Sequence, residues 1–102
     1  MRAIRMLSEM IEEEIGDAEK YAKAAAQCKD TDSGMARLFY DLAGEELHHM
    51  ELLHEETARK ISQYRKEKGE PPAEMMAVYE YLHARQLERV KEVRTWLELY
   101  QG

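Results

Sequence analysis

Residues 41–53 read Asp-Leu-Ala-Gly-Glu-Glu-Leu-His-His-Met-Glu-Leu-Leu, with apolar side chains recurring every three or four positions. The stripe to which they belong begins upstream and consists of Met35, Phe39, Leu42, Glu46, His49 and Leu53. This spacing is typical of one face of a helix, so we predict a helix whose stripe packs against a neighbour. Glu46 and His49 are its exceptions, because a buried polar side chain needs a partner to offset its lost hydration.

Two clusters of helix-breaking residues divide the chain. Residues 29–34 (Lys-Asp-Thr-Asp-Ser-Gly) indicate a loop that caps a following helix, and residues 68–72 (Lys-Gly-Glu-Pro-Pro) indicate a helix end followed by a new first turn. The segments between them are rich in good helix formers, and no strand pattern appears. We therefore predict a single all-α domain spanning residues 1–102. Its helices are expected at about residues 3–29, 33–68 and 72–100.

Composition excludes several functional classes. The formal net charge of −6, with no basic stretch, argues against a nucleic-acid partner. The single cysteine, Cys28, excludes an internal disulfide and a Cys-x-x-Cys zinc or redox motif. No signal-peptide core and no apolar run of membrane-spanning length is present, so the expectation is a cytoplasmic protein that does not bind membranes.

The first helix also has an apolar stripe, here called its seam, which a single charged residue interrupts. Its members are Ile4, Leu7, Ile11, Glu14, Ala18, Tyr21, Ala25 and Cys28. If helices 1 and 2 form an antiparallel hairpin that turns near residues 30–31, Glu14 lies level with about residue 47, between Glu46 and His49. Two carboxylates and an imidazole in an apolar interface are costly, and a divalent ion such as Fe, Mn or Zn removes that cost. We predict these three residues as metal ligands.

Neighbouring residues are weaker candidates for the same site. Glu13, Glu45 and His48 fall one position off the seams, on the solvated faces. Without a metal, the alternative interpretation of Glu46 and His49 is a polar pair at a partly wetted helix interface.

Helix 3 contains a second pair of this spacing, Glu80-x-x-His83. A turn centred near residue 70 places His83 level with about residue 57, roughly 12 Å along the helix axis from His49. We therefore do not expect Glu80 and His83 to contribute to the same site within one chain; the alternatives are that they join a site of another subunit or form a site of their own. His54 is expected on the surface.

One hairpin supplies only half of a two-metal site. Di-iron carboxylate bundles use a Glu from each of two helices and a Glu-x-x-His from each of two others. A two-fold homodimer of this hairpin would supply four carboxylates and two imidazoles, and four carboxylate charges balance two divalent ions. We predict such an isologous dimer, or a higher homo-oligomer built from it.

The same residues resemble motifs of the ferritin-like di-iron superfamily. Glu14 followed seven residues later by Tyr21, and then Ala43-Gly-Glu-Glu-Leu-His-His49, are similar to the ligand segments of rubrerythrins and encapsulated ferritins. The resemblance covers helices 1 and 2, about two-thirds of the chain. It implies a four-helix bundle with two iron ions per dimer interface.

The resemblance also implies a role for each residue. Glu14 would be the ligand from the first helix, Glu46 a bridging carboxylate and His49 a terminal ligand. Tyr21 would hydrogen-bond a ligand carboxylate and could donate an electron. The implied activity is ferroxidase-type oxidation of Fe(II) by dioxygen or peroxide, sometimes coupled to iron storage. The chain departs from both groups: it lacks rubredoxin-type cysteine pairs, and a long third helix replaces a shell-targeting tail.

Two other functions stay open at this point. One is a non-catalytic helical oligomerisation module whose polar seam residues fix the register of the helices. The other is a dimetal protein that uses manganese or zinc in a different reaction or as a structural element.

Residues near the proposed ligands carry two further expectations. Gly16 and Gly44 each cost about 1 kcal/mol in a helix interior, so we expect them to admit a neighbouring helix or bulky side chain beside the site. Six methionines are expected to fill the core: Met6, Met10, Met35, Met50, Met75 and Met76.

Overall fold

The computed structural model describes residues 2–102 as three α-helices joined by short loops. Helix α1 spans Arg2–Cys28, α2 spans Ser33–Lys68 and α3 spans Ala73–Gln101. The prediction of an all-α chain is confirmed, and each helix end lies within one residue of its predicted position. The described residues contain no β-strand, and none of their helices has an apolar stretch suited to crossing a membrane.

Loop chemistry sets both ends of α2. The Asp32 side chain accepts a hydrogen bond of 3.0 Å from the backbone N–H of Met35 and so caps the helix N-terminus. At the other end, Gly69 adopts a φ of 86°, a left-handed conformation that glycine enters without a steric penalty. Its N–H donates to the carbonyl of Arg65, and Pro72 then precedes the first turn of α3.

The central element is α1, which packs along α2 and also along α3, whereas α2 and α3 meet at only a few points. The molecule is elongated, with extents of 55 × 18 × 17 Å. The main buried cluster consists of Ile11, Ile15, Ala18, Ala22, Ala43, Leu47, Met50, Val90 and Val93. Alanines occupy much of the α1–α2 contact, so these two backbones lie close together.

A polar network attaches α3 to α1. The Nε of Arg89 donates to Glu19 at 2.7 Å, and the Arg89 guanidinium also binds Glu12. The buried Gln86 amide donates to Glu12 at 3.1 Å and to the Ser8 hydroxyl at 3.4 Å. These groups satisfy one another in a part-buried interface, which keeps the cost of burying them low.

The buried line of α2 runs one residue away from the predicted stripe. Its members are Ala36, Ala43, Leu47, Met50, Thr57 and Ile61. The predicted stripe members Met35 and His49 are exposed, and the others are half-buried. Because α3 also packs on the hairpin, the most buried face of α2 points between α1 and α3. The predicted stripe therefore lies at the edge of the core.

One side of the hairpin carries a group of apolar side chains that are exposed or only half-buried in the described chain. We call it the open face; its exposed members are Met6, Met10, Met35 and Leu38, and its half-buried members are Tyr21, Phe39, Leu42 and Leu53. Helical periodicity places them on the side opposite the residues that contact α3. The expectation that the methionines fill the core is therefore wrong for Met6, Met10 and Met35, and confirmed for Met50.

Gly44 lies in the interior of α2, and apart from its chain neighbours and the local backbone of α2, a Cβ added there would meet no atom of the described chain within 4 Å. The close neighbour expected at Gly44 is therefore not found within one chain. We predict that Gly44→Ala raises the free energy of unfolding by about 1 kcal/mol, through higher helix propensity and a more restricted unfolded state. Thermal unfolding followed by circular dichroism measures the change. A loss of dimerisation or metal binding without added stability would instead indicate a partner at Gly44.

Candidate metal centre

Glu14 of α1 meets Glu46 and His49 of α2 across the middle of the hairpin. One ligand atom of each residue lies within 4.8 Å of the other two. The Nδ1 of His49 is 3.5 Å from Oε2 of Glu14 and 3.9 Å from Oε2 of Glu46. Two atoms that bind one ion at about 2.1 Å are themselves roughly 3 to 3.5 Å apart, so small side-chain rotations suffice to bind a metal.

Helix geometry explains the meeting. Glu46 and His49 are three residues apart and so project from one face of α2, while the hairpin register brings Glu14 opposite them. The side chains of Glu46 and Glu14 are 18% and 26% exposed, whereas His49 is 52% exposed. The expected dry surroundings of His49 are therefore absent in a single chain, because this residue lies where the core edge joins the open face.

The cluster is electrostatically unbalanced without a cation. The pKa of Glu46 is raised to about 7, first because its protonated carboxyl can hydrogen-bond to Glu14, and next because of burial and the charge of Glu14. The Oε2 atom of Glu14 is shielded from solvent and has no hydrogen-bond partner in the described chain. A divalent ion would bind that oxygen and compensate both carboxylates, so the donor set fits a metal.

Tyr21 lies about two helical turns beyond Glu14 on α1. Its ring stacks on Phe39 of α2 with centroids 6.1 Å apart and an interplanar angle of 15°. Within residues 2–102, no hydrogen bond joins its hydroxyl to the three proposed ligands. Its role beside a metal stays a prediction.

The weaker candidates lie outside this cluster. Glu13, Glu45 and His48 are exposed, and His48 makes only a 4.0 Å contact to Glu51.

The histidines of α2 and α3 form a contact that sequence reasoning missed. His54, expected on the surface, is half-buried because α3 covers it, and its ring centroid lies 4.5 Å from that of His83. Burial and, secondarily, His83 lower the pKa of His54 below its usual value. The register of helices 2 and 3 places His83 level with about residue 57, within one helical turn of His54. The sequence therefore held enough information to predict this contact. Glu80 is exposed.

Comparison with protein families, curated proteins and solved structures finds no match to this chain. The ferritin-like resemblance therefore stays a prediction from the motifs around Glu14, Tyr21, Glu46 and His49.

The raised pKa of Glu46 predicts a pH-dependent stability in the metal-free protein. Between its usual value of 4.5 and about 7, the folded state binds more protons than the unfolded state, so stability falls as the pH rises through this range. Glu46→Gln mimics the protonated carboxyl and should remove the fall. Urea unfolding in the presence of a chelator, at several pH values from 5 to 8 (roughly the range over which this group titrates), measures it. The exposed Glu45→Gln is the control, and an unchanged slope in Glu46→Gln would contradict the prediction.

Proposed function

We propose that this chain is a ferroxidase-type protein that oxidises Fe(II) with dioxygen or peroxide at a di-metal site shared by two subunits. The observation that carries the proposal is the cluster of Glu14, Glu46 and His49, whose ligand atoms lie within 4.8 Å of one another. Carboxylates combined with imidazole suit iron, and also manganese or zinc. The set equals half of the ligands of a di-iron carboxylate bundle.

The open face supports a second subunit as the source of the other half. It surrounds the ligands with apolar side chains, among them Met10 at 40% and Leu38 at 53% exposure. Exposed apolar patches of this kind mark interaction surfaces. A two-fold copy seated here would remove those side chains from water, bury His49 and double the ligand set in one step.

Each ligand then has a defined task. Glu46, whose pKa is raised to about 7 in the metal-free protein, would lose its remaining proton fraction when a metal binds and would then serve as the bridging carboxylate that the ferritin-like resemblance implies. Glu14 contributes the oxygen that lacks a hydrogen-bond partner. Iron bound there supplies the change between Fe(II) and Fe(III) on which the oxidation depends. The apolar open face, once covered, excludes water from these groups.

Tyr21 is the aromatic residue best placed to assist. Its half-buried ring is held against Phe39 on the same side of the hairpin as the ligands. A phenol in this position can hydrogen-bond a carboxylate of the completed site or supply an electron.

The catalytic part of the proposal is tested with Fe(II) itself. We expect the parent protein to bind about one iron per chain, as a half-site would, and to develop ferric absorbance when oxygen is admitted. Glu46→Ala and His49→Ala should each weaken binding at least about tenfold, because each removes one of only three ligands. The matched controls, Glu45→Ala and His48→Ala, are adjacent but outside the cluster and should retain both properties. No iron uptake by the parent would favour the oligomerisation module, and uptake without oxidation would favour the manganese or zinc alternative.

The dimer part of the proposal is tested at the open face. Met10→Glu places a charge among its apolar side chains and should give a monomer that binds iron more weakly, since burying an unpaired charge is costly. Analytical ultracentrifugation at micromolar concentration, with Fe(II) under anaerobic conditions, measures the mass. Leu99→Glu is the control, because Leu99 is 54% exposed on α3, away from the hairpin face. A parent protein that stays monomeric with metal bound would overturn the shared site.

A further inference from the structure

A crevice of about 350 Å³ lies between α2 and α3. His54 of α2 and His83 of α3 face each other in it, with ring centroids 4.5 Å apart and planes at 74°. Tyr79 stacks on His83 at 5.8 Å and so orients that ring. This crevice is on the covered side of the hairpin, away from the Glu14 cluster.

Both imidazoles have an unsatisfied nitrogen. Nε2 of His54 and Nδ1 of His83 are shielded from solvent, and neither has a hydrogen-bond partner in the described chain. Whether such a nitrogen carries a proton or a lone pair, burying it unpaired costs free energy, and native structures rarely leave it so. A single group that both nitrogens could bind would remove this cost.

We propose that His54 and His83 bind a zinc-like divalent ion at a second site that links α2 to α3. Two imidazoles on one tetrahedral ion, with nitrogen–metal distances near 2.1 Å, have centroids about 5 Å apart, close to the observed separation. Neutral imidazole is the form that ligates a metal, and it is the form that the surroundings of His54 favour.

The third ligand in this proposal is Glu51. It lies one helical turn before His54 on α2 and lines the same crevice, so rotation of its exposed side chain brings a carboxylate toward the pair. Glu55 and Arg94 also line the crevice, which leaves its wall with one net negative charge when the histidines are neutral. That charge favours a cation. Water fills the remaining position, as in zinc sites with three protein ligands.

The site would strengthen the weakest contact of the fold. Elsewhere α2 and α3 touch little, since α1 lies against both of them. An ion held by His54 and Glu51 of α2 and by His83 of α3 adds a direct link between the two helices, and it stabilises the folded state because the unfolded chain does not present these ligands together.

Zinc chloride is the probe. The protein is the full chain carrying His49→Ala, which removes a ligand from the Glu14 cluster. Zinc binding in the crevice is then measured separately from zinc binding at that cluster. Calorimetric titration should give one Zn²⁺ per chain, and excess Zn²⁺ should raise the melting temperature by about 5 °C or more, reversibly with a chelator. His54→Gln and His83→Gln, each in that background, should weaken binding at least about tenfold and abolish the shift in melting temperature. Glu45→Gln is the control, because Glu45 is exposed on the same helix and does not line the crevice.

Two further results decide the proposal. Imidazole NMR signals of His54 and His83 should move on zinc addition, a measurement that needs no substitution at the site. Glu51→Gln should weaken binding several-fold, and an unchanged affinity would exclude it as a ligand. Unaltered zinc affinity in either histidine variant, or no binding at all in the His49→Ala background, would overturn the site.

Discussion

The close packing of α1 against α2 is the constraint on which the rest of the structure depends. Alanines on both helices, including Ala18 and Ala22 on α1 and Ala36 and Ala43 on α2, are fully buried in the interior. Small side chains at these positions let the helix axes approach. Residues at the edge of the contact can then reach across it, which is how Glu14 comes to lie beside Glu46 and His49. A larger residue at one of these alanine positions would push the two helices apart and so separate the proposed ligands, even without contacting any of them.

The second constraint is the position of α3. By packing on one side of the hairpin, through Arg89 and Gln86, it makes the two sides of α2 chemically different. The covered side holds His54 against His83, and the open side presents apolar side chains around the Glu14 cluster. The polar clusters on the two sides are both incompletely satisfied within one chain, and each is positioned by a different helix neighbour of α2.

Local sequence signals predicted the parts of this fold that depend on a few neighbouring residues. Asp32 and Gly69 mark the ends of α2 because capping needs an acceptor at one end and a left-handed conformation at the other. The position of Glu14 opposite Glu46 and His49 follows from the position of the loop alone, since a short turn fixes the register of two antiparallel helices. These predictions required no knowledge of the third helix.

The rotation of α2 about its axis could not be obtained in the same way. It is set by the combined packing of α1 and α3, and the spacing of apolar residues fits two adjacent stripes equally well. For this reason Met35, predicted in the core, is exposed, and His54, predicted on the surface, is half-buried. The exposure of His49 has the same origin. An error of one residue in a helix corresponds to about 100° of rotation, enough to move a side chain from the interior to solvent.

In the proposed dimer, metal binding and assembly would be physically coupled. In the metal-free chain the raised pKa of Glu46 reports that two carboxyl groups share a space suited to one negative charge. Covering the open face with a second copy would make that crowding worse, because burial removes the water that screens the charges. A divalent ion would reverse the effect of burial on the cluster. Once the ion neutralises the charge of the two carboxylates, lower exposure to water strengthens their binding to the ion. The apolar side chains around the cluster therefore favour association most when the ligands are occupied, so occupancy of the site and burial of the open face should rise together.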